Sequence, residues 1–210
     1  GRRAFLAIDP YLESTGTGDR IRELLSAAGL TVVTWSDIQP NPSCFGVDEA
    51  AAIARESASD LVVAAGGGSA IDFGKAVAVV APGDGPAWRY TERSDHEILR
   101  PTGGLPIVAV PTTAGTGTEA TPFAVLNNPD LRQKSTIVSD RVLPAKVLID
   151  PTLMATMPPP LTASTGFDAL AHAIESRISR HSTPFSRMMA VEAIGLVARR
   201  ASGLVLRRVF

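Results

Sequence analysis

The chain has 210 residues, 45% of them apolar, and a formal net charge of -1 at pH 7. That length allows one large domain or one domain with part of another, and the apolar content supports a sizeable core. The near-neutral charge and the short apolar runs give no reason to expect a nucleic-acid or membrane partner. The single cysteine, Cys44, excludes an intrachain disulfide and, without a visible signal peptide, favours a cytoplasmic protein.

Strand-like and helix-like segments alternate through the first part of the chain. Short apolar or β-branched runs predict strands, and longer amphipathic or apolar runs predict helices. The predicted elements are a strand at residues 4–8, a helix at 19–28, a strand at 31–35, a helix at 47–58, a strand at 61–65, a helix at 69–80, and strands at 107–110 and 147–149. This alternation predicts an α/β fold with a Rossmann-like parallel sheet covered by helices on both faces.

A run of prolines at positions 158–160 ends this pattern, and the segments beyond it are predicted as helix. We therefore divide the chain into an α/β domain, residues 1–155, and a helical segment, residues 156–210. Within the second part, residues 185–198 form an amphipathic pattern whose apolar face we expect to need a packing partner. The basic stretch at residues 199–210 differs in character from what precedes it.

One predicted strand-to-helix junction carries three consecutive glycines followed by Ser69 and Asp72. Glycine lets the backbone approach a ligand closely and adopt positive φ, and the first turn of a helix offers free N–H groups to a pyrophosphate. Ser69 and Asp72 also have the spacing of a capping box, which would give them a local role. A tight turn without a ligand is an equal alternative, and the G-x-G-x-x-G fingerprint of ordinary Rossmann proteins is absent.

A second loop follows another buried strand and contains Thr112, Thr113 and Thr116 among glycines. Hydroxyls and exposed amides can bind a phosphate, a ribose or a nicotinamide amide, and a simple surface loop is the alternative. Its position after a strand favours a ligand, because open α/β sheets bind ligands at the carboxyl ends of their strands. Lys134 stands in a polar stretch, and its position alone favours a solvated surface lysine.

A carboxylate and an imidazole, Asp168 and His172, lie four residues apart in a predicted helix. Both therefore leave the same face, with Cβ atoms about 5–6 Å apart. An oxygen and a nitrogen donor at this separation suit a divalent cation such as Zn or Fe. Two donors are only half of a metal site. The other two histidines, His96 and His181, do not lie in a comparable sequence motif, and His181 is expected to be solvated.

Together these motifs resemble those of the iron-containing (group III) alcohol dehydrogenase family. The matching segments run through nearly the whole chain in order: Pro40-Asn-Pro42, Gly66-Gly-Gly-Ser69 with Asp72, Pro111-Thr-Thr-Ala-Gly-Thr116, Lys134, Ile149-Asp150, Met157-Pro-Pro159, and residues 165–175. The last is the most specific. The resemblance implies that residues 1–155 are a dinucleotide-binding domain and residues 156–210 the incomplete start of a helical metal-binding domain, with one catalytic metal in the cleft between the two domains.

The resemblance also implies a role for each motif. The metal, Fe or Zn, would be bound by Asp168 and His172, and it would lower the pKa of an alcohol so that the carbinol carbon releases hydride to the nicotinamide. Lys134 would bind on the ribose side, which replaces the surface interpretation. The cofactor would be NAD or NADP, contacted by Ser36, Gly67, Gly68, Ser69, Asp72, Thr112, Thr113, Thr116 and Lys134.

Two features depart from the family's pattern. NAD-preferring members often have an acidic residue shortly before the Pro-Asn-Pro segment, whereas this chain has Ser36 followed by Asp37. A carboxylate would repel a 2′-phosphate and a serine tolerates it, so Ser36 favours NADP. The family's last two metal ligands are histidines that lie further downstream than Phe210, so we expect a truncated chain with an incomplete metal site.

Two alternatives stay open. One is a catalytically incomplete fragment that binds a nicotinamide dinucleotide without turnover. The other is a glycerol-dehydrogenase-like or dehydroquinate-synthase-like relative, although Asp168 and His172 preceded by Thr165 and Gly166 favour the alcohol dehydrogenases. The expected partners are a small primary or secondary alcohol or aldehyde and, for the assembly, a second copy in a homodimer.

Overall fold

The structure is a computed structural model that describes residues 1–93 and 96–206, with backbone only for residues 201–206. The end of the basic tail, residues 207–210, lies outside the described residues. The chain forms two compact units. The first unit comprises Gly1–Thr112 and Thr118–Leu153, and the second comprises Thr113–Gly117 and Met154–Phe210. No pattern in the sequence predicted that Thr113–Gly117 belongs with the second unit.

The first unit is an α/β domain. Short 3-10 helices lie at Ala87–Tyr90, Thr118–Ala120 and Asp140–Val142. Its other elements are β1 (Arg3–Ile8), α1 (Pro10–Ser14), α2 (Thr17–Ala27), β2 (Thr31–Trp35), α3 (Cys44–Glu56), β3 (Leu61–Gly66), α4 (Gly68–Val80), β4 (Ile107–Pro111), β5 (Phe123–Asn128), β6 (Gln133–Val138) and β7 (Lys146–Val147).

Five of these strands form a parallel sheet in the order β2-β1-β3-β4-β7. The central strands are buried on both faces, which explains why they read as continuous apolar runs. In β1, Phe5 and Ala7 belong to the core cluster that includes α3 and α4. Leu6 and Ile8 belong to the opposite cluster, which includes Leu12 of α1. The predicted α/β fold is therefore confirmed.

The predicted strands at 4–8, 31–35, 61–65 and 107–110 are confirmed to within one residue at each end. The helix predicted at 47–58 begins earlier, because the Ser43 hydroxyl accepts a hydrogen bond from Phe45 N at 3.2 Å and so caps α3. The strand predicted at 147–149 is wrong in extent. Pairing with β4 covers only Lys146 and Val147, and the next two residues are exposed.

A hairpin that no sequence pattern predicted follows the Thr/Gly loop. β5 and β6 pair antiparallel, and they form a sheet of their own. Alternate residues of β5 are buried, while β6 begins with exposed polar side chains that hide its strand character. The turn between the two strands does contain Asn128, a residue type that favours turns. Its Oδ1 accepts a hydrogen bond from Leu131 N at 3.1 Å, and Arg132 in the same turn has φ of 52°.

The second unit contains two helices, α5 (Pro159–Ile178) and α6 (Pro184–Leu206), which pack on each other. Large apolar side chains on both helices are exposed, as the amphipathic pattern at residues 185–198 led us to expect. Met188 of α6 is 61% exposed and Phe167 of α5 is 73% exposed. Across the described ranges, neither these nor any other helix combines the length and hydropathy that a membrane crossing requires.

The packing of α4 on the sheet depends on Gly74. A Cβ at this position would lie 2.6 Å from the Cβ of Ala64 in β3. We expect Gly74→Ala to lower the free energy of unfolding by about 1–3 kcal/mol, because α4 must move away from the sheet. Gly46 of α3 is the matched control, since a Cβ there would meet only Phe73 Cε2 at 3.7 Å.

Gly46→Ala should raise the free energy of unfolding by up to about 1 kcal/mol, as alanine is the better helix former. Urea denaturation followed by circular dichroism measures both changes. An equal gain in the two variants would show that α4 is not in tight contact with the sheet.

Candidate functional site

One edge of the parallel sheet collects most of the predicted cofactor residues of the first unit. The first residues after β2, β3 and β4 are Ser36, Gly67 and Thr112, respectively. The strand order reverses between β1 and β3, because β2 lies on one side of β1 and β3 on the other. Open α/β sheets bind ligands outside the carboxyl ends of their strands at such a switch point.

The glycine run turns the chain from β3 into α4 at this switch point. Gly66 has φ of 147°, and a Cβ there would lie 2.7 Å from both Ala70 Cβ and Asp9 Cβ. Only glycine can occupy the position, since L side chains rarely adopt this φ. Of the three glycines, Gly66 alone has positive φ. The close contact brings the start of α4 against the end of β1.

The first turn of α4 has no side-chain cap. Its N-cap residue is Gly67, which offers no oxygen to the first amides of the helix. The predicted capping box of Ser69 and Asp72 is therefore wrong. The Ser69 hydroxyl instead accepts a hydrogen bond from Asn41 N at 3.2 Å. The first amides of α4 stay available for an anionic ligand, which a positive helix end favours.

Lys134 reaches the same loop through Asn41. Its Nζ donates to Asn41 Oδ1 at 2.6 Å, and Asn41 N donates to Ser69 Oγ. Asn41 has φ of 58°, a conformation that asparagine tolerates better than most residues. The side chain of Lys134 is therefore not the isolated surface lysine that its sequence position favoured. The central Asn41 was missed as a site residue, although the Pro-Asn-Pro motif pointed to it.

Ser36 and Asp37 follow β2 at the same edge. Ser36 is half-buried, whereas Asp37 is exposed and its Oδ1 accepts a hydrogen bond from Gln39 Nε2 at 3.1 Å. The Asp37 carbonyl also accepts from the indole of Trp35 at 3.0 Å. Both residues thus lie where a ribose-binding side chain is expected, and the choice between NAD and NADP stays a prediction.

Asp72 contacts protein groups rather than open space. Its carboxylate accepts hydrogen bonds from the Thr118 hydroxyl and, at 3.1 Å, from Val125 N. Burial raises the pKa of Asp72, while these hydrogen bonds oppose the shift. The geometry therefore makes Asp72 a residue that holds the segment following the Thr/Gly loop.

One turn further along α4, Lys75 is fully buried. Its Nζ donates to the carbonyls of Thr118 and Thr121, both at 2.8 Å, and to the carbonyl of Phe123. Burial lowers the pKa of Lys75 to about 8, although the negative charges of Asp72 and Glu119 act in the opposite direction. Lys75 was missed in the sequence, where the only signal was a lysine within the apolar pattern of a buried helix.

The Thr/Gly loop is divided between the units. In the first unit, Thr112 is buried and its N donates to Gly66 O at 2.9 Å. In the second unit, Thr113 Oγ1 is buried and has no hydrogen-bond partner among the described residues. Thr116 is half-buried. Such an orphaned hydroxyl next to a glycine-rich turn suits a polar ligand group.

Within the second unit this loop packs against α5. Gly115 has φ of 145°, and a Cβ there would lie 2.1 Å from the carbonyl oxygen of Thr165. A side chain at this position is sterically impossible without moving the loop. The glycines of this loop therefore serve packing against α5 as well as any approach to a ligand.

Asp168 and His172 lie on α5, as their spacing predicted. His172 Nε2 is 3.6 Å from Asp168 Oδ1, and the two side chains are 58% and 45% exposed. Both donors are thus accessible to a cation. Among the described residues there is no cluster of three His, Cys, Asp or Glu side chains that could hold a metal ion. His181 is exposed in the turn between α5 and α6, which confirms its expected solvation.

The second unit also contains an open apolar cavity of about 550 Å³. It is bordered by Phe167 and Leu170 of α5, by Leu196 of α6 and by Gly115. Neither Asp168 nor His172 is among its lining residues, because they leave α5 on a different face. The cavity is therefore not the place where the candidate metal ligands converge.

Comparison with known proteins places these features in a family. Residues 1–151 match the family model described as iron-containing alcohol dehydrogenase. Residues 162–207 match the model for the C-terminal part of the Fe-containing alcohol dehydrogenase family.

Individual relatives agree with the family models. The chain is 39% identical over 201 residues to the 1,3-propanediol dehydrogenase of Citrobacter freundii, covering 95% of this chain and 51% of the relative. It is 36% identical over 198 residues to alcohol dehydrogenase 4 of Saccharomyces cerevisiae strain YJM789, covering 93% of this chain and 50% of the relative.

A solved structure is similar over the same extent. Sulfoacetaldehyde reductase from Bifidobacterium kashiwanohense in complex with NAD+ superposes with a TM-score of 0.84 at 37% identity, over 93% of this chain and 51% of that one. The chain thus spans about half the length of the relatives it matches. The family models cover both units of the structure, and the chain belongs to the iron-containing alcohol dehydrogenase family.

Proposed function

We propose that this chain carries the cofactor site and part of the metal site of an NAD(P)-dependent alcohol dehydrogenase. The reaction would interconvert a small primary or secondary alcohol with its aldehyde or ketone. The observation that carries the proposal is the uncapped first turn of α4 at the switch point of the sheet, with Lys134 bonded beside it. The names of the relatives, which include an alcohol dehydrogenase and a 1,3-propanediol dehydrogenase, support the substrate class.

The first unit would hold the dinucleotide. The amides of Gly67, Gly68 and Ser69 would donate to the pyrophosphate, and the positive end of α4 would favour its charge. Lys134, already oriented by Asn41, would contact the ribose side. Thr112 would contact another polar group of the cofactor. In the second unit, Thr113 and Thr116 are candidates for contact with a polar ligand group, and the unpartnered Thr113 hydroxyl fits that role. A relative solved with NAD+ supports a nicotinamide cofactor.

The second unit would contribute Asp168 and His172 to a divalent metal, Fe or Zn. Such a metal, when bound, supplies Lewis acidity that lowers the pKa of the alcohol hydroxyl. A nicotinamide cofactor held by the first unit would supply the hydride acceptor for the carbinol carbon, and the hydroxyl proton would pass to solvent. Asp168 would supply an oxygen donor and His172 a nitrogen donor, and their i, i+4 spacing keeps both on one face of α5.

A second candidate function is nucleotide binding without turnover. It is favoured by one observation: the part of the chain that the structure describes brings together only two metal donors at α5. Tight zinc sites in enzymes use three protein ligands. Alcohol-dependent reduction of NAD(P) by the chain would separate the two candidates. Cys44 is buried as a free thiol, which is consistent with the proposed cytoplasmic location.

The proposed phosphate position predicts the effect of Gly68→Val. A β-branched side chain at the first residue of α4 would obstruct the amides that the pyrophosphate needs. We expect the affinity for NADH or NADPH to fall more than about tenfold, equivalent to about 1.4 kcal/mol. Isothermal titration calorimetry provides the measurement.

Gly103→Val is the control for this experiment, because a Cβ at Gly103 meets nothing within 4 Å and the residue lies in a loop. It should leave the affinity unchanged. If Gly68→Val binds the cofactor with unaltered affinity, the pyrophosphate does not bind at the start of α4.

The cofactor preference predicts a selective effect at Ser36. Because a carboxylate there would repel a 2′-phosphate, Ser36→Asp should weaken NADPH binding by about tenfold or more and change NADH binding little. Wild-type chain should bind NADPH at least as tightly as NADH. Asp37→Ser is the matched variant, since the two residues are adjacent. A strong wild-type preference for NADH that Asp37→Ser removes would assign the acidic role to Asp37.

The metal pair predicts slow, metal-dependent turnover. With two protein donors a metal would be held weakly, so we expect little alcohol-dependent reduction of NAD(P) even with added Fe(II), Zn(II) or Mn(II). His172→Ala should abolish that activity and weaken Co(II) binding, read from its absorption spectrum, by about tenfold or more. His181→Ala is the control, as its imidazole is exposed in a turn.

Robust turnover that Asp168→Ala and His172→Ala both abolish would show a complete site and reject the incomplete-fragment alternative. Turnover that survives both substitutions would show that Asp168 and His172 of α5 are not the metal ligands.

A further inference from the structure

A buried lysine in α4 binds the segment that leaves the Thr/Gly loop. Lys75 Nζ donates to the carbonyls of Thr118, Thr121 and Phe123, and it also lies 3.2 Å from the Thr118 hydroxyl. An ammonium group has three donors and no acceptor, which matches three carbonyl oxygens. No other charged side chain type presents three donors from one atom.

Asp72 binds the same segment from one helical turn earlier. It accepts from the Thr118 hydroxyl and from Val125 N, while its Oδ1 is 3.9 Å from Lys75 Nζ. That separation is too long for a hydrogen bond, so the two charges are joined mainly through Thr118. The carboxylate and the ammonium together fix the 3-10 turn Thr118–Ala120 and the first residues of β5 to α4.

The other end of the loop is fixed to the same supersecondary unit. Thr112 N donates to Gly66 O at 2.9 Å, at the point where β3 passes into α4. The residues on either side of Thr113–Gly117 are therefore both bonded to the β3–α4 unit. The amino end of that same helix is the proposed pyrophosphate site.

We propose that Lys75 is a positioning residue for the nicotinamide half of the cofactor. It sets the end of the Thr/Gly loop at a fixed distance from the amides of α4 and makes no contact with the cofactor itself. The inference rests on the proposed function, because it requires that the first turn of α4 binds the pyrophosphate and the threonines bind the remaining polar groups. Removing the ammonium should then weaken binding of the nicotinamide half and spare the adenosine and pyrophosphate half.

The test compares NADH with ADP, which lacks the nicotinamide half, by calorimetry on the full chain. In Lys75→Met the affinity for NADH should fall about tenfold, while the affinity for ADP changes less than about twofold. Val77→Ala is the matched control, because Val77 is also fully buried in α4 and contributes no bond to the loop. It should lower thermal stability and leave the ratio of NADH to ADP affinity unchanged.

Thr118→Val gives a second, milder variant if Lys75→Met does not fold. This substitution keeps Lys75 and the side-chain volume and removes the hydroxyl between Asp72 and Lys75. It should lower the ratio of NADH affinity to ADP affinity by about threefold. A ratio that stays at the wild-type value in the folded variants, with wild type binding NADH more tightly than ADP, would overturn the inference. Wild-type chain that binds neither nucleotide would instead refute the proposed function, and the inference with it.

Discussion

Close contact between α4 and the centre of the parallel sheet is the constraint on which the rest of the first unit depends. Gly74 permits it at the middle of the helix and Gly66 permits it at the start, where the chain turns sharply out of β3. Because α4 lies this close to the sheet, its first backbone amides lie at the switch point between β1 and β3. Its next turn faces the protein interior, so Asp72 and Lys75 must bind protein groups there.

The buried charges of Asp72 and Lys75 in α4 are better explained by their role in positioning a loop than by a contribution to the stability of the fold. An ammonium and a carboxylate removed from water lose solvation that their mutual attraction seldom restores. Here the two groups are 3.9 Å apart, and their partners are mainly loop carbonyls, a hydroxyl and an amide. An apolar pair could fill the same space, but it could not bind Thr118 and Val125 in one register. The chain therefore keeps polar groups where they order a loop beside the proposed cofactor site.

The parts of the fold that sequence could predict are those governed by local pattern. Buried parallel strands leave apolar runs, and the spacing of Asp168 and His172 is set by one turn of helix. The β5–β6 hairpin was not predicted because β6 begins with exposed polar side chains. The bond from Lys134 to Asn41 joins residues 93 positions apart, and no local pattern encodes it. Lys75 escaped for the same reason, since its acceptors are supplied by another segment of the chain.

The two halves of the proposed chemistry differ in how firmly the described residues hold them. The cofactor residues of the first unit are fixed by glycine contacts, by backbone pairing and by a buried lysine with several acceptors. Asp168 and His172 have exposed side chains, and only their shared helix sets their 3.6 Å separation. Preorganised donors stabilise a transition state most, because they need no rearrangement as charge develops. Nucleotide binding is thus the part of the proposed function that the described residues support most directly, and the proposed hydride transfer would depend on how well the metal pair can be completed.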